Sequence, residues 1–211
     1  MQTEKIIVKN KGEGAAEVLN TVVKFAGDLN LDRKSSLRLR LLAEEALGML
    51  KSITGDFEAE FWIENNVDKV CLMHFIASAK MNYDKKKELL KTASDKKNSA
   101  AKGVMGRIRE FIENGIYSFD SISGKVVNYG NRVFMYGSTG KVDMDNLAID
   151  SCVQVWSMEM YKKSLDEVRE DDEAAEEAWD ELDKSIVANL ADDIKVGVSG
   201  NKVELLIEKS F

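Results

Sequence analysis

Proline is absent from all 211 residues, where average usage of roughly five per cent would supply about ten. Helix and strand ends must therefore be set by Gly, Asn and Asp and by changes in apolar periodicity. Cysteine is nearly as scarce: Cys71 and Cys152 lie far apart with no CxxC pairing, and one histidine, His74, completes the set of soft ligands. No metal-ligating cluster and no disulfide framework can be assembled from so few. Long apolar runs are missing too, which excludes a membrane-spanning helix. The first ten residues set Glu4, Lys5 and Lys9 around Ile6, Ile7 and Val8 and lack the apolar core of a secretory signal, so a cytoplasmic location is expected, with no membrane association. What is present, 44% apolar and 32% charged residues, is the composition of a globular chain and excludes disorder or a fibre.

The net charge of −7 conceals two opposed blocks. From Asp166 to Asp183 there are eleven acidic residues and one basic, Arg169, a local charge of −10. From Lys80 to Arg109 there are ten basic residues against Asp84, Glu88 and Asp95, a local charge of +7. The basic block must be weighed as a nucleic-acid site. Only Tyr83 offers a stacking platform within it, and the chain as a whole repels polyanions, so nucleic acid is not the expected ligand. The acidic block has the sign needed to meet a basic partner or the chain's own basic segment.

Periodicity supplies the elements. Residues 4 to 9 read as a strand. Ala15, Val18, Leu19, Val22, Val23 and Ala26 form one helical face that Gly27 is expected to stop. Asp32 is a suitable N-cap for a longer helix in which Leu39, Leu42, Ala43, Ala46, Leu47, Leu50 and Ile53 recur at three and four. Alternation from Phe57 to Glu64, a turn at Asn65-Asn66 and an apolar run from Val70 to Ala77 make an antiparallel hairpin. Helical spacing resumes at 83–90 and 106–116, a weaker hairpin is read at 125–136, and residues 146 to 190 read as two helices. At the C-terminus Ile194, Val196 and Val198 alternate into Ser199-Gly200-Asn201, and Val203, Leu205 and Ile207 alternate out, a second clear hairpin. The sum is an α+β chain, a two-layer α/β sandwich with helices covering one face of a mixed or antiparallel sheet. The apolar faces can be buried together only if the terminal hairpin shares that sheet.

Three stretches resemble the ATP-binding domain of the GHKL superfamily, the histidine-kinase-like ATPases, and in particular its small bacterial branch of anti-sigma-factor serine kinases. Glu44-Glu45-Ala46-Leu47-Gly48-Met49 is similar to the helix that reads roughly Ser-Glu-Ala-x-x-Asn in that branch. Lys102-Gly-Val-Met-Gly-Arg-Ile-Arg-Glu-Phe-Ile-Glu113 is similar to the glycine motif that opens a helix beneath the triphosphate. Ser185 to Gly197 resembles the last helix running into the terminal hairpin. The resemblance covers residues 1 to 115 and 185 to 211 of one domain spanning 1–211, and makes 117–184 an insertion that includes the acidic helices. Either the helix at 106–116 or the one at 184–191 can be the family's phosphate-side helix.

The resemblance implies ATP or another nucleotide as ligand, Glu45 as general base, and an anion-binding loop made of Lys96, Lys97, Asn98, Lys102, Gly103 and Gly106. Glycine lets the backbone approach a phosphate, a helix N-terminus favours negative charge, and lysines on flexible stems add point charges. Two positions depart from the family. Met49 stands where the magnesium-binding Asn is expected, and a thioether is a poor ligand for a hard cation. After the strand ending at Phe75 the chain continues Ile76-Ala-Ser-Ala-Lys-Met81, without the Asp-x-Gly-x-Gly that reads adenine. The expectation is a regulatory module that engages a protein partner, sigma-factor-like or another regulator, and binds a nucleotide or other phosphate-bearing anion without turnover. A homodimer is compatible with it. An active ATP-dependent serine kinase or ATPase is the alternative. For Glu45 the plain reading is a solvated helix face; for His74 it is a satisfied structural histidine.

Overall fold

The first and last strands of the chain belong to one sheet. The computed structural model describes residues 1–9, 12–54, 58–66, 70–78, 108, 111–112, 147–148, 154–171, 173–199 and 202–211. Their elements are β1 (Ile6–Lys9), α1 (Ala15–Asp28), α2 (Arg33–Thr54), β2 (Glu58–Asn65), β3 (Val70–Ser78), β4 (Gln154–Ser157), α3 (Met158–Asp166), α4 (Glu173–Asp183), α5 (Ile186–Leu190), β5 (Asp193–Ser199) and β6 (Lys202–Ser210). The sheet has six strands in the order β1-β2-β3-β6-β5-β4, and every pairing is antiparallel. The terminal hairpin β5-β6 joins β3 along its whole length, from Val70 opposite Ser210 to Ser78 opposite Lys202.

Local chemistry sets the element ends that proline does not. Helix α1 runs through Gly27 and stops two residues later than the apolar face suggested. Asn30 takes a φ of 54°, the amide of Asn30 donates to Gly27 at 2.9 Å and that of Leu31 to Ala26 at 3.0 Å. This pair of bonds is a Schellman closure with Asn in place of the commoner Gly. The buried stripe of α1 is Val18, Val22, Phe25 and Ala26, whereas Val23 is 43% exposed. Asp32 caps α2 by accepting the Ser35 amide at 2.7 Å, and that bond holds its carboxyl below the usual carboxylate range.

One face of the sheet carries Ala59, Phe61, Ile63, Met73, Phe75, Val203, Leu205, Ile207, Ile194 and Val196, all fully or almost fully buried in one cluster with the stripes of α1 and α2. Phe61 and Phe75 meet at a ring separation of 4.8 Å. This is the helix-covered face of a two-layer α+β arrangement.

The region read as two helices between 146 and 190 differs. Gln154–Ser157 is an edge strand paired with β5, and three helices follow it. The Val155-Trp156 pair favours a pleated backbone. Ser157 then ends the strand and caps α3, with extended dihedrals and its hydroxyl accepting the Met160 amide at 3.3 Å. Ser185 caps α5 in the same way. Residues 154 to 183, within the segment read as an insertion, thus supply an edge strand and two helices. Met158, Leu165, Ala175 and Leu182 place these helices in the same core as α1 and α2.

Two glycines in the β1–α1 connection separate backbone strain from steric closure. Gly12 has φ +86° and open space where a Cβ would stand; Gly14 has φ +80° and a Cβ there would lie 2.2 Å from the Ile7 carbonyl oxygen. A left-handed φ alone costs an L-residue about 1–2 kcal/mol. Gly12→Ala should therefore lower the unfolding free energy by about 1 kcal/mol and Gly14→Ala by about 3 kcal/mol, since backbone must move as well. Urea titration of both variants checks the ordering, and equal losses would remove the steric term.

Candidate functional site

Helix α2 turns Ala46 and Met49 of the Glu44–Met49 stretch inward and leaves Glu44 and Gly48 exposed. On α2, Leu39, Leu42, Ala43 and Ala46 are fully buried, and Met49 and Leu50 are 1% exposed. Glu45 lies one turn before Met49 at the border of this stripe and is half-buried, while Glu44 beside it is exposed. The solvated reading of Glu45 is therefore only half met. The carboxylate of Glu45 forms no hydrogen bond or ion pair with a described residue. Met49 is part of the core cluster, so the position from which the resemblance expects a magnesium ligand points into the packed layer between helix and sheet. The residues present do not fit a hexahydrated-type cation that needs oxygen ligands and several waters.

The anion-binding residues Lys96, Lys97, Asn98, Lys102, Gly103 and Gly106 lie outside the described residues, as do the weaker hairpin at 125–136 and the helix at 83–90. Of the helix read at 106–116, Ile108, Phe111 and Ile112 are described. All three are helical and buried in the same core, the i, i+3, i+4 face that the periodicity required. Among the described residues no three His, Cys, Asp or Glu side chains gather as a metal site. Cys71, buried in the core, has its thiol pushed up to about 11 by burial, so it stays protonated and unreactive at neutral pH.

The sheet face turned away from α1 and α2 carries buried polar groups among its apolar ones. His74 is 1% exposed and Glu204 is fully buried. His74 Nδ1 lies 2.9 Å from Glu204 Oε1, and the amide of Ala148 donates to both carboxylate oxygens of Glu204, at 3.0 and 2.9 Å. The indole of Trp62, cross-strand partner of His74, stacks on the imidazole at 4.5 Å with 5° between planes. Lys5 Nζ sits 4.7 Å above that indole. Glu64 Oε1 approaches His74 Nε2 at 3.4 Å without the alignment of a hydrogen bond. On the same face Lys195 pairs with Glu208 at 2.8 Å. At the edge, buried Asp193 accepts the Ser157 hydroxyl and the Glu159 amide, which fixes the start of α3. Nδ1 of His74 thus has a partner in Glu204, whereas its buried Nε2 has no hydrogen-bond partner among the described residues, so the reading of a satisfied structural histidine holds for one ring nitrogen only. Glu204 is the residue that sequence reasoning passed over: between Val203 and Leu205 it sits on the alternate face, and strand alternation assigns that face to solvent.

A third feature lies on the outside of the helical layer. Arg33, Lys34, Leu37, Arg38 and Leu41 of α2, with Leu190 of α5, line a groove of about 390 Å³. Leu37 is 54% exposed, and among the described residues none of these three cations belongs to an ion pair.

Comparison with protein-family models, with curated proteins and with solved structures gives no match. Among the described residues no helix is long and apolar enough to cross a membrane.

A carboxyl with no exposure is tolerated only while its partners remain. Glu204→Ala and His74→Ala should each destabilise the fold, Glu204→Ala by about 3–5 kcal/mol. The double variant should cost less than the sum, with a coupling of about 1–3 kcal/mol measured by chemical unfolding of the four-member cycle. Additive losses would mean that the two groups do not act as a pair.

Proposed function

We propose that this chain is a regulatory, protein-binding module of the histidine-kinase-like ATPase type, one that engages a partner and takes up a nucleotide or another phosphate-bearing anion without turning it over. The observation that supports the reading is the burial of Met49 in the core, at the position where a phosphoryl-transfer enzyme of that type holds magnesium through a side-chain amide. Phosphoryl transfer depends on a cation that bridges the phosphates and neutralises the charge developing on them. A thioether locked between helix and sheet offers nothing to such an ion. Glu45 is half-buried one turn away, at the border of the same apolar stripe. The order β1, α1, α2, β2, β3 and a terminal hairpin closing the same sheet is compatible with the reading; it is a fold-level argument and carries less weight than the site.

The purified protein should show no magnesium-dependent ATP hydrolysis above background and no transfer to serine. Coupled-enzyme turnover assays with and without magnesium check this. Turnover that disappears in Glu45→Gln would overturn the proposal in favour of an active serine kinase or ATPase.

A further inference from the structure

The groove on the outer side of α2 is a composite of two rows. Arg33, Leu37 and Leu41 follow one another at i, i+4 and i+8, and Lys34 and Arg38 form the row beside them. The core stripe of Leu39, Leu42, Ala43, Ala46, Met49 and Leu50 occupies the opposite side of the same helix. Leu37 and Leu41 are therefore not needed to hold α2 on the sheet. Leu190 closes the groove from α5, and Ile186, one helical turn earlier on α5, is 50% exposed. Three leucine side chains thus meet in one groove with Arg33, Lys34 and Arg38 on its rim.

Among the described residues, none of Arg33, Lys34 and Arg38 belongs to an ion pair. The first turn of α2 contains no acidic residue. Asp32, the nearest carboxylate in the chain, is committed to the Ser35 amide as helix cap at 2.7 Å. Arg40 is also exposed on this helix. The exposed ion pairs among the described residues lie elsewhere, at Lys5–Glu60, Lys9–Glu13, Lys9–Glu58, Lys163–Glu159, Arg169–Asp166 and Lys209–Asp192. An apolar floor with a one-sign rim marks a binding surface more strongly than scattered leucines do.

We infer that this groove docks an acidic amphipathic segment of a protein partner, whose leucine-like side chains enter between Leu37, Leu41 and Leu190 while its carboxylates meet Arg33, Lys34 and Arg38. The inference rests on the reading of the chain as a protein-binding module and names the partner's chemistry. Nucleic acid fits less well: the groove residues include no aromatic side chain on which a base could stack, and three leucines on its floor desolvate a phosphate backbone without return. The recognition mode is a helix laid in a groove, in which spaced apolar anchors supply affinity and flanking charges supply orientation and association rate.

The test uses a fluorescein-labelled synthetic peptide of sixteen residues with leucines at i, i+3, i+4 and i+7 and glutamates elsewhere, titrated with the full chain and read by anisotropy. Saturable binding is expected, weakened at least about tenfold by Arg33→Glu with Arg38→Glu, at least about fivefold by Leu37→Ser, and progressively by salt. These residues are exposed, so the variants should keep the melting temperature of the parent, which a thermal scan confirms. A peptide with lysine for every glutamate should not bind. The inference is overturned by absence of binding, by unchanged affinity in both variants, or by a polyglutamate of equal length binding as well as the leucine peptide. It is also overturned if a duplex or single-stranded oligonucleotide binds these cations more tightly than the peptide. Sedimentation supplies the last arm: a dimer dissolved by Leu37→Ser, and not displaced by the peptide, would assign the groove to a second copy of the chain. ATP turnover, measured on the same variants, reports on the non-hydrolytic reading independently, so a failed titration and a failed reading are separable.

Discussion

The stripe of Leu39, Leu42, Ala43, Ala46, Met49 and Leu50 must be withheld from water, and the row of Phe61, Phe75, Leu205 and Val196 across four strands is the surface that withholds it. Burial of each large side chain contributes about 1.5–3 kcal/mol, more than any exposed ion pair in the molecule, whose worth is about 0–1 kcal/mol. The rotation of α2 is consequently fixed by its apolar stripe and not by its charges. Once that rotation is set, Met49 must enter the core, Glu45 must stand at its border, and Arg33, Leu37 and Arg38 must face outward. The burial of Met49 and the open groove are two consequences of one packing decision.

The other side of the sheet obeys a different rule. A buried carboxyl is costly unless every oxygen is matched, and Glu204 is matched by His74 and by the Ala148 amide. Residue 148 lies between β3 and β4 in the chain, so Glu204 ties the Ala148 backbone to the back of the sheet. Trp62 stacked on His74, and Lys5 above Trp62, extend the fastening to the β1 end. One face of the sheet is thereby withdrawn from water by hydrocarbon, and on the other a polar network holds the buried pair His74 and Glu204.

Legibility followed the physics of each element. The two hairpins, the long helix and its Asp32 cap were readable because alternation, three-four spacing and capping residues are local signals. The end of α1 was misjudged because Gly27 is an obvious stop signal, and the Asn30 that ends the helix is a less common one. Strand β4 was read as helix because four residues at a sheet edge are too few for a period to show, and Ser157 switches the chain from strand to helix within one residue. The buried pair of His74 and Glu204 was invisible in principle: alternation says which residues share a face, and it does not say how much of that face is exposed. At the kinase-like motif, Met49 was legible as a poor ligand from its chemistry alone, and the direction of its side chain came from the fold.

The claim on which the rest depends is that position 49 belongs to the core and not to a metal site. The most direct measurement is the unfolding free energy of Met49→Asn, with magnesium titrated against the same variant by calorimetry. An amide placed in that core cluster gives up its hydrogen bonds to water, so the account predicts a loss of about 2–4 kcal/mol and no magnesium uptake. A variant as stable as the parent that binds magnesium would contradict it, and would show that α2 can turn its motif toward solvent.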